Sequence, residues 1–342
     1  MMQSIIVEGQ TGRSHIMVGE SLANLSNHLP PGRTIIITDE NVARLYQDQF
    51  PDCDVITIGL GEKIKTLITI ENIFDQLINL EADRTTFIVG VGGGIVGDIT
   101  GFAASTYMRG VRFGFVPTTL LAQVDATVGG KNGVNFKGFK NMVGVFNQPQ
   151  FVIADIDVLK TLPPEEIACG LAEIVKHACI MDAAYFGEIE NQCDAIARLD
   201  AAVMRKLVYD SVVIKADVVN QDEREAGVRR KLNYGHTLGH ALEKTLGISH
   251  GEAVSVGMVL AAELSMQKGF ISHQEVERIR SLLTRLHLPL EVDFDRQAVV
   301  DALGKDKKRE SDNIKFVLLK EIGQAVIEDI AIEELRRWIM ER

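Results

Sequence analysis

The stretch KLNYGHTLGHALEKTLGISHGE (231–252) holds three of the chain's eight histidines. His236 and His240 are one helical turn apart, so a helix presents both rings on one face, as helical metal sites do. The zinc motif His-Glu-x-x-His needs a glutamate after the first histidine, and Thr237 stands there instead. A division of labour is therefore open, with one ring on a metal and the other on a substrate. His250 precedes Gly251-Glu252 at the start of the next helical pattern and can reach the same site from a second element. A third ligand should be a carboxylate or histidine on another helix. Glu173, in GLAEIVKH, sits among small and apolar residues where an unpaired charge is costly. Its plainer reading is a helix-face pair with Lys176 or His177.

A second kind of chemistry is offered by VGVGGGIVGD (89–98), where Gly92-x-Gly94-x-x-Gly97 follows a strand-like run and precedes a helix-like one. Such a turn admits a diphosphate against the helix N-terminus; it also serves as a tight, closely packed strand-to-helix connection. At least two strands precede it and no acid follows about 20 residues later, so a bound dinucleotide would use a variant of the usual arrangement. Thr118 and Thr119 would then supply hydroxyls, and Asp39 or Glu62 would reach a ribose. The segment 116–141 carries Asp125, Lys131, Lys137, Lys140 and Asn141 among glycines and threonines. Its length, its place after a sheet strand and its apolar VDATVGG make it a ligand-binding loop rather than a solvated linker.

These residues need elements to hold them. Strand-like runs at 3–8, 13–18, 34–39, 54–60, 85–93 and 111–117 alternate with helical patterns, which implies a parallel sheet covered on both faces. From about residue 160 the period is helical, apart from a small strand at 314–319. The expected architecture is an α/β Rossmann-like domain, 1–160, followed by an all-α metal- and substrate-binding domain, 161–342. A chain of 342 residues exceeds the size of one core, and 46% hydrophobic with 24% charged residues is ordinary globular composition. A formal net charge of −11 argues against nucleic-acid binding. No apolar run is long enough for a membrane span, and four cysteines without a CxxC fit a cytoplasmic protein.

Taken together, the stretches GGGIVGDITGFAASTYMRG, PTTLLAQVDATVGGK, KNMVGVFNQP, TLPPEEIACGLAEIVKH, IKADVV, DERE, RKLNYGHTLGHALE, HGEAVSVGM and DKK followed by FVLL resemble the 3-dehydroquinate synthase family. They run in order over roughly residues 60–320. The resemblance implies a homodimer with NAD and one divalent metal, Zn2+ or Co2+. It places the metal on Glu173, His236 and His250. It places NAD contacts at Asp39, Asn41, Glu62 and Lys65, along Gly93, Gly94, Ile95, Val96, Gly97 and Asp98, and at Thr118, Thr119, Lys131, Lys140, Thr161 and Leu162. Substrate contacts fall on Asp125, Lys131, Lys140, Asn141, Lys176, Lys215, Arg229, Asn233, His240 and one of Lys307 and Lys308. Arg109 is expected to reach the neighbouring subunit's site. Two places depart from the family pattern: Phe139 stands where a glycine is usual, and His177 is not a residue of the pattern.

The implied reaction converts 3-deoxy-D-arabino-heptulosonate 7-phosphate to 3-dehydroquinate and phosphate. It proceeds by transient oxidation of a ring alcohol, phosphate elimination, return of the hydride, ring opening and aldol closure. A metal lowers the pKa of bound water from about 15.7 to about 7, roughly 12 kcal/mol, whereas a general base contributes about 3–5 kcal/mol. The metal is thus the main activator of the hydroxyl. Alternatives are another sugar phosphate cyclase or a metal-dependent polyol dehydrogenase.

Overall fold

The computed structural model of the chain describes residues 2–304, 309–310 and 313–342. Lys307 and Lys308 lie outside the described residues. The backbone divides into two compact units, Met1–Ile167 with Met204–Arg224, and Ala168–Val203 with Glu225–Arg342. The sequence draws one boundary near residue 160; the chain also returns to the first unit for 204–224, a helix whose period carries no hint of its partner.

The first unit holds β1 (Gln3–Gly9), β2 (Gly12–Val18), β3 (Thr34–Asp39), α1 (Glu40–Tyr46), β4 (Asp54–Ile58), α2 (Leu67–Asn79), β5 (Phe87–Gly92), α3 (Gly94–Thr106), β6 (Arg112–Pro117), β7 (Lys131–Phe136), β8 (Phe139–Phe146) and β9 (Phe151–Ala154). Seven strands form one sheet in the order β1-β2-β9-β6-β5-β3-β4, antiparallel only between β1 and β2. β3 and β5 are buried along nearly their whole length, with Ile35, Ile36 and Ile37 at the centre of β3, as parallel strands covered on both faces must be. Ile36, Val89, Val116 and Ile153 pack with Leu22 and Leu25 into the core.

The ligand-binding loop expected over 116–141 is largely not a loop. After one turn of helix at 122–126, β7 and β8 pair as a hairpin through Lys137 and Gly138, both at positive φ (49° and 78°). A two-residue turn of that hand matches the twist of paired strands, so the segment closes on itself.

The second unit is built from α4 (Pro164–Met181, from Ala168 on), α5 (Ala183–Ala197), α7 (His236–Leu246), α8 (His250–Gln267), α9 (His273–Arg285), α10 (Arg296–Gly304) and α11 (Ile332–Glu341). Helix α6 (Ala201–Gln221) belongs mostly to the first unit. The second unit is largely helical, as expected, but "all-α" omits an antiparallel sheet of β10 (Arg309–Glu310), β11 (Asn313–Glu321) and β12 (Gln324–Ala331). Only the 314–319 part of that sheet reads as a strand in the sequence. No helix among the described residues is long and apolar enough to cross a membrane.

Candidate active site

In the second unit the two ends of α7 and α8 are fixed by local chemistry. Gly235 caps α7 at φ 76°, where a Cβ would lie 2.9 Å from both Met258 N and Val254 O. Ser249 and Glu252 form a reciprocal capping box, which makes His250 the first residue of α8. Glycines then let the backbones touch. A Cβ on Gly239 would sit 2.8 Å from Ala253 O, one on Gly257 would collide with Gly235 O, and one on Gly251 would run into Cys169 of α4.

This packing gathers Glu173 of α4, His236 of α7 and His250 of α8, with one donor atom of each within 4.8 Å of the others. Glu173 Oε1 lies 3.2 Å from His250 Nε2 and 3.4 Å from His236 Nε2. Ligands held about 2.1 Å from a tetrahedral centre are about 3.4 Å apart, so the spacing suits a zinc- or cobalt-sized ion. His236 Nδ1 is 3.1 Å from the Tyr234 carbonyl, a bond that only an Nδ1–H can donate, and this turns the Nε2 lone pair toward the other two donors.

The electrostatics fit a cation. Glu173 is fully buried, which alone would raise its pKa; the Lys176 ammonium and the two imidazoles outweigh burial and hold it well below the usual carboxylate range. Burial pushes His236 well below its ordinary value, despite Glu173. Burial would also lower His250, but Glu173 and Glu243 together raise it to about 9. At neutral pH the trio therefore carries an anionic oxygen, a neutral imidazole and one proton shared where an ion would bind.

His240 follows one turn after His236 but is exposed, with its ring centroid 5.1 Å from that of His236 and 6.3 Å from that of His250. The imidazole that joins His236 at Glu173 is thus the half-buried His250 and not its neighbour on the helix. Just before α7, the 3-10 segment Val228–Asn233 buries Arg229, and Asn233 donates to Glu225 Oε1 at 2.5 Å.

In the first unit, strand order explains the placement of the glycine turn. β3 pairs with both β4 and β5, so the chain leaves β3 toward one edge and leaves β5 toward the other. Ligands of open α/β sheets bind at such a divergence, outside the carboxyl ends of the strands. Asp39 ends β3, and Gly92-Gly93-Gly94 ends β5. Asp39 Oδ1 accepts the Asn41 and Val42 amides and caps α1. α3 starts at Gly94 after Gly93, which offers no side-chain cap and leaves the first amides available to an anion. The glycines also serve close packing: a Cβ on Gly94 would be 2.9 Å from Ala126 and one on Gly93 3.1 Å from Thr119. The close-packing reading of this turn is thus met, and the uncapped helix start is compatible with an anion beside it.

Around it, Lys65 pairs with Asp98 and donates to Asn141 Oδ1 at 2.6 Å. Glu62 accepts from Asn135 at 2.7 Å. The Thr118 amide bonds Gly92 O, and Thr119 accepts from the Ala122 amide. Lys215 of α6 pairs with Asp125 and also reaches its carbonyl at 2.6 Å. Thr161 ends a 3-10 turn next to Leu162 and bonds Tyr46 Oη at 2.6 Å. Ile95, Val96 and Gly97 lie in the first turn of α3. Lys131 and Lys140 are exposed on the hairpin, and Arg109 is exposed with φ 70° after α3.

Sequence reasoning missed Glu225, Glu243 and Glu223. Glu223, buried, accepts from Thr11 and Gln148 within the first unit. The only signal for Glu243 was its place on the helical face of His236 and His240.

The chain matches the family description 3-dehydroquinate synthase N-terminal over residues 55–169 and 3-dehydroquinate synthase C-terminal over residues 170–309. It is 40% identical over 343 residues to the 3-dehydroquinate synthase of Pelobacter propionicus, with 96% of each chain covered. A crystal structure of 2-deoxy-scyllo-inosose synthase complexed with carbaglucose-6-phosphate, NAD+ and Co2+ superposes with a TM-score of 0.86 at 27% identity, covering 99% of this chain and 100% of that one. A 2-epi-5-epi-valiolone synthase from Streptomyces hygroscopicus with NAD+ and Zn2+ bound gives 0.88 at 26%, covering 99% and 98%.

Proposed function

The chain belongs to the 3-dehydroquinate synthase family, and on that premise we propose how its residues divide the work of the reaction. It is a carbon–oxygen lyase that converts 3-deoxy-D-arabino-heptulosonate 7-phosphate to 3-dehydroquinate and phosphate, with NAD and a divalent metal and no net redox change. Bound NAD supplies a hydride acceptor that is restored in each cycle, and the bound metal supplies a Lewis acid for the hydroxyl being oxidised.

Glu173, His236 and His250 hold the metal, and the observation that carries this reading is the 3.2 and 3.4 Å spacing of their donor atoms. The uncapped start of α3, from Gly93 to Asp98, takes the NAD diphosphate. Asp39, Asn41, Glu62, Lys65, Thr118, Thr119, Lys140, Thr161 and Leu162 hold the rest of the nucleotide. Lys131, Lys140, Lys176, Lys215, Arg229 and a lysine of the pair 307–308 bind the substrate's phosphate and carboxylate, because charge-assisted bonds to such groups are the strong ones. Asp125, Asn141, Asn233 and His240 orient its hydroxyls. Asp125 is pre-set for this by Lys215, whose ammonium grips both its carboxylate and its carbonyl. The cations also explain how a chain of net charge −11 takes an anionic substrate. The working form is a cytoplasmic homodimer, to which each subunit lends Arg109.

The test is phosphate release from the heptulosonate phosphate in the presence of NAD and zinc. Release without accumulation of NADH is expected. Protein shown to hold both NAD and metal, yet releasing no phosphate, refutes the assignment. Steady NADH formation from a polyol would make it a net dehydrogenase instead.

A further inference from the structure

The imidazole of His250 has a carboxylate facing each of its nitrogens. Nε2 meets Glu173 Oε1 at 3.2 Å, and Nδ1 meets Glu243 Oε2 at 3.7 Å. Glu243 comes seven residues after His236 and three after His240, so all three share one face of α7. Its side chain is only 13% exposed, and a carboxylate withdrawn that far from water needs donors or cations beside it. The two histidines at the centre are therefore supported differently. Behind His236 stands a neutral carbonyl, that of Tyr234, at 3.1 Å; behind His250 stands an anion.

We propose that Glu243 is a positioning residue of the metal centre. It accepts the Nδ1–H of His250, fixes the ring with Nε2 toward the cation, and makes this imidazole the stronger donor of the two. A ring adjustment of about 0.5 Å brings the pair within hydrogen-bond range. A carboxylate behind a ligating imidazole selects the tautomer and increases its basicity, and losing such a partner costs about 10–100-fold in metal affinity. The inference rests on reading Glu173, His236 and His250 as the metal ligands.

Zinc affinity measured by chelator competition tests it. The unsubstituted protein should bind one equivalent. Glu243→Gln should bind about 10–100-fold more weakly, Glu243→Asp should recover part of the loss, and both metal-free variants should stay folded. Nitrogen-15 spectra of the histidines in the unsubstituted, zinc-loaded protein should show His250 bound through Nε2 with a hydrogen-bonded proton on Nδ1, a readout that does not depend on the variant folding. Unchanged affinity in Glu243→Gln overturns the proposal, as does ligation of His250 through Nδ1. So does a second bound zinc that this variant loses, since donor atoms of His240, Glu243 and His250 also lie within 4.8 Å of one another. Failure of the underlying reading looks different: no zinc bound by the unsubstituted protein, or normal binding by Glu173→Ala.

Discussion

Two carboxylates, Glu173 buried and Asp98 half-buried, each paired with a lysine, are driven in opposite directions in the two units. Glu173 lies against Lys176, His236 and His250, and these partners overcome burial and hold it well below the usual range. Asp98 lies against Lys65, but burial, with Glu62 and Asp125 adding negative charge, raises it above its ordinary value. The same pair of residue types thus yields a committed anion in one place and a carboxyl shifted toward its neutral form in the other. What decides is the charge of the wider surroundings rather than the nearest partner. A carboxylate held firmly as an anion suits a metal ligand; Asp98, raised beside Lys65, is the less firmly held anion of the two.

The hardest blow to this contrast comes at Glu173. Glu173→Ala should lose bound metal and lower phosphate release by more than about 10³-fold, because several kcal/mol of activation depend on the ion. It also strands the Lys176 ammonium, at a cost of about 3–5 kcal/mol in stability. Elemental analysis of the purified variant decides the matter, since normal metal content would remove Glu173 from the ligand set. Next is the packing that creates the surroundings. Gly257→Ala drives a methyl into Gly235 O and should cost about 1–3 kcal/mol in stability. It should also weaken metal binding by separating α7 from α8. Gly187→Ala on α5, where nothing lies within 4 Å of the added methyl, is the control and should be neutral or slightly stabilising in denaturant titrations. Equal behaviour of the two variants would mean that backbone contact does not hold the donors together.

A pH series sharpens the contrast further. His250 in the metal-free protein is raised to about 9. Its contribution to stability is complete below about pH 6.5, its unfolded value, and is lost as pH rises through about 9. Glu173 has the opposite sign: its contribution is present above about pH 4.3 and fades as pH falls through its lowered folded value. Metal must displace the His250 proton, so affinity should climb by about tenfold per pH unit toward about pH 9 and then level off. Chelator competition across that range, with proton release followed by calorimetry, measures both. A flat profile would show that His250 carries no proton in the metal-free site.

Much of this contrast is legible in the amino-acid sequence. Serine before His250 with Glu252 behind marks a helix start, and the apolar neighbours of Glu173 mark a charge that needs partners. Which imidazole completes the site is not readable from the spacing of His236 and His240, because it depends on where α8 crosses α7. The glycine turn looks misplaced along the chain, since only the sheet order reveals that β3 and β5 are neighbours whose connections diverge. The β7–β8 hairpin is hidden by its own composition: β8 is mostly exposed and shows no apolar alternation. Glu225 and Glu243 resemble solvated glutamates in sequence and gain meaning only from what faces them.

The smallest effect is expected at Asp98. Burial, helped by Glu62 and Asp125, raises this carboxyl, so an amide of the same shape should be a tolerable substitute. In Asp98→Asn, Lys65 would keep an amide oxygen at position 98 and the side chain of Asn141 as acceptors. NAD affinity and turnover should therefore fall by less than about tenfold, or about 1.4 kcal/mol, with metal content unchanged. A loss as deep as that of Glu173→Ala would mean that Asp98 works as an anion balancing Lys65, and that burial does not prevail there. Titrating NAD into the variant by fluorescence, beside turnover, separates the two outcomes. A firmly held anion at Asp98 would weaken nucleotide binding steeply when neutralised, whereas a loosely held one leaves it nearly intact.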